Sequence, residues 1–149
     1  MNQKTIHNFI WAPIFLIGLV SLVFGFVWIL HPEPWLLDQP ANEALLQTSF
    51  NELFSDDANK FLPSYLIVVY RFFGLWLITI GLLVLSYVKV TKLGTKQARL
   101  SIHSTLFLTL ISMYYLIFKY LPTSPLIPTL YIFTLFLGLS IYFSSRITS

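Results

Sequence analysis

One positively charged residue lies inside an otherwise apolar stretch of the sequence. Arg71 belongs to the run 62–88, about nine residues, or about 13 Å of helix, from its start. A charge at that depth in a bilayer costs at least about 2.5–3.5 kcal/mol, and charges inside membranes commonly mark functional sites. Arg71 is therefore the first candidate for contact with a ligand or a partner.

Three kinds of acceptor are expected for the Arg71 guanidinium, because no Asp or Glu occurs in any apolar run. The first is a set of hydroxyl groups at the same depth or one turn further out: Ser21, Ser112, Thr134, Tyr114 and Tyr115. The second is a carboxylate of the preceding connection, Asp56 or Asp57. The third is an acid, a carbonyl group or an anionic ligand from outside the chain. A purely structural arginine that reaches outward towards water is the alternative to a functional contact.

Small residues favour close helix packing at four positions. Gly18 and Gly25 are two turns apart in the first apolar run, and Gly74 and Gly81 are two turns apart in the second. Such residues let the backbones of membrane helices approach each other. Because Arg71 and Gly74 are three residues apart, we expect Arg71 to face the bundle interior or a partner rather than lipid.

Other kinds of chemistry find little support in the sequence. There is no cysteine, so disulfides and thiolate chemistry are excluded. His7, His31 and His103 show no zinc spacing, and the apolar runs contain no pair of carboxylates for acid–base catalysis. We therefore predict no catalytic residue, no metal site and no cofactor, and we allow for a bound lipid.

The composition indicates which elements position Arg71. Of the 149 residues, 56% are hydrophobic and only 10% are charged, whereas soluble domains carry about 25% charged residues. Four continuous apolar runs, 9–30, 62–88, 100–121 and 125–143, approach or exceed the roughly 20 residues that a membrane-spanning helix needs. We predict a single all-α domain, residues 1–149, folded as a four-helix transmembrane bundle.

The charges predict the orientation of this bundle. All six acids lie in the connection 31–61: Glu33, Asp38, Glu43, Glu52, Asp56 and Asp57. With four spans, six basic residues lie on the opposite side: Lys4, Lys89, Lys92, Lys96, Arg99 and Arg146. Because cytoplasmic loops are enriched in Lys and Arg, both termini are expected in the cytoplasm. The formal charge of +3 is too small to indicate nucleic-acid binding.

The long outer connection has a pattern of its own. In residues 40–54, apolar side chains recur at helical spacing among polar ones, which predicts an amphipathic helix on the extracytoplasmic rim, with Trp35 as an interface anchor. A lid that only covers helix ends is the alternative. Gly94 is expected to supply a left-handed cap after the second span, and Ser124 is expected to cap the fourth span, with Pro125 as its first residue.

These features favour a non-catalytic accessory or scaffold subunit of a larger membrane complex, with other membrane subunits and lipids as partners. The alternative is a binding protein, carrier or enzyme for a lipid-like or small anionic molecule, held around Arg71, Ser112, Tyr114 and Tyr115. A homo-oligomeric channel or transporter is the third possibility. It is disfavoured because Arg71 is the only charge well inside the spans.

Overall fold

The computed structural model describes residues 2–147, and all regular elements in that range are helical. Six α-helices follow one another: α1 (Gln3–Leu30), α2 (Gln39–Leu46), α3 (Phe50–Ser55), α4 (Leu62–Thr91), α5 (Lys96–Tyr120) and α6 (Ile127–Ser144). Two short 3-10 helices, Pro34–Asp38 and Asp57–Asn59, lie in the long connection between α1 and α4.

Four of these helices, α1, α4, α5 and α6, are long and apolar enough to cross a membrane. They contain 28, 30, 25 and 18 residues, which confirms four candidate spans at the predicted places. The last begins at Ile127, later than predicted. Ser124 is not its N-cap: that position is Leu126. The Ser124 hydroxyl accepts from the backbone N–H of Leu126 at 3.2 Å, just before the helix, and donates to Asp38 Oδ1 at 3.0 Å.

The helix α1 lies at the centre of the bundle. It packs along α4 on one side and α6 on the other, and α5 packs on α6. A larger share of α1 is buried than of any other long helix. Neighbouring helices run antiparallel, so the bundle has two ends. The terminal end holds the start of α1, the α4–α5 turn and the end of α6; the loop end holds residues 31–61 and 121–126.

Four glycines form the contact between α1 and α4. A Cβ atom on Gly25 would stand 2.6 Å from the carbonyl oxygen of Gly74, and one on Gly81 would stand 2.8 Å from that of Gly18. Both distances are shorter than real Cβ contacts. The two backbones therefore touch, and no side chain fits between them at these levels.

Large apolar side chains cover the outside of the bundle as well as its core. Ile10, Ile14 and Leu130 are fully or almost fully buried, whereas Trp76 is 62% exposed and Leu83 is 65% exposed. Soluble monomers rarely expose apolar surface on this scale. The outer surface fits contact with lipid chains.

The long connection forms two short helices instead of the single helix predicted over residues 40–54. The helix α2 ends at Leu46 and is followed by Gln47, whose φ is 57°. The helix α3 then begins with a capping box between Ser49 and Glu52. Trp35 is only 4% exposed and packs against Phe50 and Phe54. Residues 34–55, which contain α2 and α3, form a cap over the loop end. Trp35 belongs to a small apolar core inside this cap and is not an exposed anchor.

The α4–α5 turn also differs from the expectation. Gly94 does not have a positive φ; the left-handed residues are Lys92 and Leu93, with φ values of 49° and 51°. Leu93 is completely buried. Burial of this side chain offsets the cost of placing a non-glycine residue in the left-handed region.

Candidate functional site

Arg71 lies on the exposed outer surface of α4. It borders a shallow apolar hollow formed with Ile29, Val68, Phe72 and Leu75. Of the two expected positions, the bundle interior is therefore wrong, and contact with a partner stays a prediction. Gly74 does lie in the α1–α4 contact, but a spacing of three residues leaves about 60° of rotation between two side chains, which is enough to turn Arg71 outward.

The predicted hydroxyl acceptors do not converge on Arg71. Ser21 donates to the carbonyl of Ile17 within α1, and Ser112 donates to that of Leu108 within α5. Both bonds stay within one helix turn, as serine hydroxyls in membrane helices commonly do.

The other predicted acceptors also find partners elsewhere. The hydroxyl oxygens of Tyr114 and Thr134 are 2.9 Å apart, and their hydrogen bond links α5 to α6. The hydroxyl of Tyr115 accepts from the ammonium group of Lys119 at 2.7 Å. Asp56 accepts from the backbone N–H of Ala58 at 2.9 Å. The expected pocket around Arg71, Ser112, Tyr114 and Tyr115 is therefore not formed by these side chains.

A polar cluster at the loop end joins the cap to the bundle. Asp38 is 7% exposed and accepts a hydrogen bond from Ser124 in the α5–α6 connection. The amide nitrogen of Asn42 donates to the carbonyl of Asp38 at 2.9 Å and to the hydroxyl of Tyr70 on α4 at 2.8 Å. Sequence reasoning missed this cluster, because its members are separated by up to 86 residues.

Burial raises the pKa of the Asp38 carboxyl group above its ordinary value, and the hydrogen bond from Ser124 offsets part of that rise. Because the pKa is higher in the folded state, the folded protein binds this proton more tightly than the unfolded chain does. The protonated Asp38 carboxyl group therefore contributes to the stability of the fold. That contribution is fully present below the pKa of Asp in the unfolded chain, about 3.9, and is lost as the pH rises through the higher pKa of the folded state.

We therefore expect that lowering the pH from neutral stabilises the packing of the cap on the bundle, and that it does so more in the wild type than in Asp38→Asn. Hydrogen exchange of the amides in residues 34–46 would measure this. The difference between the two proteins isolates Asp38 from Glu43 and Glu52, whose pKa values are lowered by hydrogen bonds and whose contributions have the opposite sign. Equal pH dependence in both proteins would contradict the assignment.

A buried hydrogen-bond chain crosses three helices near the terminal end. Ser140 of α6 is completely buried, and its hydroxyl donates to the carbonyl of Ile10 in α1 at 2.6 Å. His103 Nε2 of α5 lies 2.8 Å from the same hydroxyl oxygen. Since the single Ser140 proton is used by Ile10, His103 must donate, which places its proton on Nε2.

Arg99 holds the α4–α5 turn together. It is 6% exposed, and its Nη1 donates to the carbonyls of Leu93 and Gly94 at 3.2 and 3.0 Å. Its Nε has no hydrogen-bond partner within residues 2–147. Sequence analysis used Arg99 only as one of the positive charges that predict the orientation. It could not predict the hydrogen bonds to the turn carbonyls, because these depend on the left-handed conformation of the residues before them.

A small cavity of about 60 Å³ lies between the four long helices, towards the loop end. Phe73, Met113 and Leu130 line it, together with Trp28. The indole N–H of Trp28 is buried without a partner among the described residues. A cavity of this size holds about one or two water molecules and is too small for an acyl chain.

No group of three or more metal-ligating side chains occurs among residues 2–147. A scan against protein-family models found no match, and neither did searches of curated proteins and of solved structures. Inference about function therefore rests on the residues of this chain alone.

Proposed function

We propose that this chain is a four-span integral membrane protein that acts as a non-catalytic accessory subunit of a larger membrane complex. It binds that complex through the outer face of α4 around Arg71. The observation that carries the proposal is the position of Arg71, which is exposed on an apolar surface. Within residues 2–147, the hydroxyl groups predicted to accept from it bond elsewhere.

The distribution of charge supports an orientation with both termini in the cytoplasm. The terminal end carries six basic residues and no acid, and the loop end carries all six acids. Lys60 and Lys119 are the basic residues at the loop end. The positive-inside rule assigns the terminal end to the cytoplasm.

The depth of Arg71 makes lipid a poor neighbour for its charge. The midpoint of α4 lies between Trp76 and Leu77, so Arg71 is about 8 Å nearer the loop end. With a hydrocarbon core about 30 Å thick centred on α4, its Cα lies about 7 Å below the core boundary. The side chain can cover most of that distance only when it extends fully outward. A partner that supplies an acceptor inside the core removes the need for that extended conformation and the cost of a guanidinium that stays in the core.

The chemistry of the partner follows from this position. It is a membrane helix that presents a carboxylate or an unpaired carbonyl at the level of Arg71, within an apolar face that packs on Phe72 and Leu75. A parallel second copy of this chain does not supply the carboxylate, because all six acids lie in residues 33–57 at the loop end. If the acceptor is a carboxylate, the partner is therefore a different protein.

The cap supports placement at the membrane surface. Leu45 is 55% exposed and Leu46 is 47% exposed on α2, while Asn42 on the same helix is tied to α4. We propose that α2 and α3 form an amphipathic cap in the extracytoplasmic interface, with these leucines in contact with lipid or with the partner.

Extraction with a mild detergent followed by native mass spectrometry tests the subunit proposal. The wild-type protein should appear in a stoichiometric complex, and Arg71→Leu should reduce the fraction in that complex at least about tenfold, since breaking a buried charge pair costs about 2–5 kcal/mol. Lys89→Leu is the matched control, because Lys89 is an exposed cation at the other end of α4.

Two results would contradict the proposal. One is a wild-type protein that runs alone and stays folded in the mildest detergent that extracts it. The other is an equal loss of complex in Arg71→Leu and Lys89→Leu, which would mean that general charge rather than the Arg71 contact holds the partner.

A further inference from the structure

We infer that the cleft between the beginning of α5 and the end of α6 binds a phosphate group presented by an anionic lipid. The cleft has a volume of about 340 Å³ and lies at the terminal end. Its polar wall consists of Lys96, Arg99, His103, Ser144 and Ser145. It is separate from the surface around Arg71, and the inference does not rest on the proposed function.

The electrostatic field in this cleft is positive. Lys96 is exposed at its mouth and Arg99 forms part of its wall. Because all six acids lie in residues 33–57, at the loop end, no carboxylate side chain stands near either cation. An anion that enters the cleft meets two positive charges and no negative side chain.

The Arg99 guanidinium has hydrogen-bond donors that the turn does not use and that a ligand can use. Nη1 is used by the turn carbonyls, Nε is buried without a partner within residues 2–147, and Nη2 makes no hydrogen bond in that range and is not fully buried. The two carbonyls satisfy only part of this buried charged group, and each donor left unpaired is costly. Arg N–H groups make strong, charge-assisted hydrogen bonds to phosphate oxygens, so a phosphate group suits the Nη2 donors that the protein leaves unused.

The first turn of α5 adds to the same field. This helix begins at Lys96, and the side chain of Thr95 accepts from the backbone N–H of Ala98 at 3.1 Å. The N–H groups of Lys96 and Gln97 have no acceptor within the helix, as at any helix start. They and the dipole of α5 favour an anion, whereas the carboxyl end of α6 on the other wall has the opposite sign. The two cationic side chains therefore decide the sign of the field.

The order of polar and apolar groups favours a lipid over a free anion. One turn deeper than Lys96, Leu100 lines the cleft and is 66% exposed, and Ile141, one turn deeper than Ser145, is 41% exposed. A phospholipid has its phosphate at the membrane surface and its acyl chains below, in the same order. Free phosphate would use only the polar half of the cleft.

Thermal unfolding of the purified full-length protein in a neutral detergent tests this site. We would titrate it with dioctanoyl phosphatidylglycerol, with dioctanoylglycerol, which lacks the phosphate, and with sodium phosphate. The phosphatidylglycerol should raise the unfolding temperature in a saturable way. Lys96→Gln should weaken that effect about fivefold, the factor expected for one lysine charge at a membrane surface. Lys89→Gln, in a separate cleft lined by α1 and α4, should not weaken it.

The other arms of the titration distinguish the possible ligands. Stabilisation by the lipid but not by sodium phosphate at the same concentration supports a headgroup site. Equal stabilisation by sodium phosphate would overturn the lipid and assign the cleft to a free anion. Equal stabilisation by dioctanoylglycerol, equal losses in Lys96→Gln and Lys89→Gln, or no stabilisation by any of the three would overturn the phosphate site itself.

Discussion

Gly25→Ala is expected to destabilise the bundle by about 1–3 kcal/mol, the range for overpacking a close contact. The new methyl group would stand 2.6 Å from the carbonyl oxygen of Gly74 and 2.7 Å from the backbone nitrogen of Ile78. These are main-chain atoms, which cannot rotate away as a flexible side chain can. The α1 and α4 backbones must therefore separate, and the packing on both sides of the contact is lost with them.

Gly138→Ala is the matched control for this substitution. Gly138 also lies inside a long helix, but a Cβ atom there meets nothing within 4 Å. Removing a helical glycine in open space should be neutral or stabilise the protein by up to about 0.5–1 kcal/mol. Unfolding both variants with sodium dodecyl sulfate in mixed micelles gives the comparison. Similar free energies of unfolding for the two would show that the α1–α4 contact is looser than described.

Ser140→Ala is expected to cost about 1–3 kcal/mol, because it leaves a buried donor on His103 without an acceptor. The same change also removes the bond from α6 to the carbonyl of Ile10. The hydroxyl is completely buried where α1, α5 and α6 meet. Water therefore cannot replace it without opening the bundle.

Ser112→Ala serves as the control, since it removes one serine hydroxyl from an exposed site. Ser112 donates only to the Leu108 carbonyl of its own helix, and surface changes of this kind stay within about 0.5 kcal/mol. The same micelle unfolding experiment measures both variants. If Ser140→Ala and Ser112→Ala lower the free energy of unfolding by the same amount, the His103–Ser140–Ile10 hydrogen-bond chain does not hold the helices together.

The four long helices were predictable because their signal is local. Each is a continuous apolar run of the right length, and neither length nor hydropathy depends on what the helix packs against. The α1–α4 glycines also carry a signal, since two pairs with the same spacing can meet along two antiparallel helices. Which glycine contacts which could not be predicted from the sequence; in the structure Gly25 contacts Gly74 and Gly18 contacts Gly81.

The side-chain partners were not predictable, because they depend on how far each helix is rotated about its axis. Arg71 and Gly74 share one side of α4 on a helical wheel, yet one is exposed and the other lies in a helix contact. Ser140 and Ile10 are 130 residues apart, and only the order of the helices in space brings them together. Trp35 was expected at an interface, but two phenylalanines that follow it in the chain cover it.

The central place of α1 has a consequence for biosynthesis. Its glycine face is covered by α4, which is synthesised only after residues 31–61 have been made. Its opposite side, which holds Ile10, is covered by α6, later in the chain. If the chain inserts into a bilayer during translation, as the proposed function requires, the first helix therefore waits there for both neighbours. The α1–α4 hairpin can form while the ribosome is still translating, and α6 closes the bundle last.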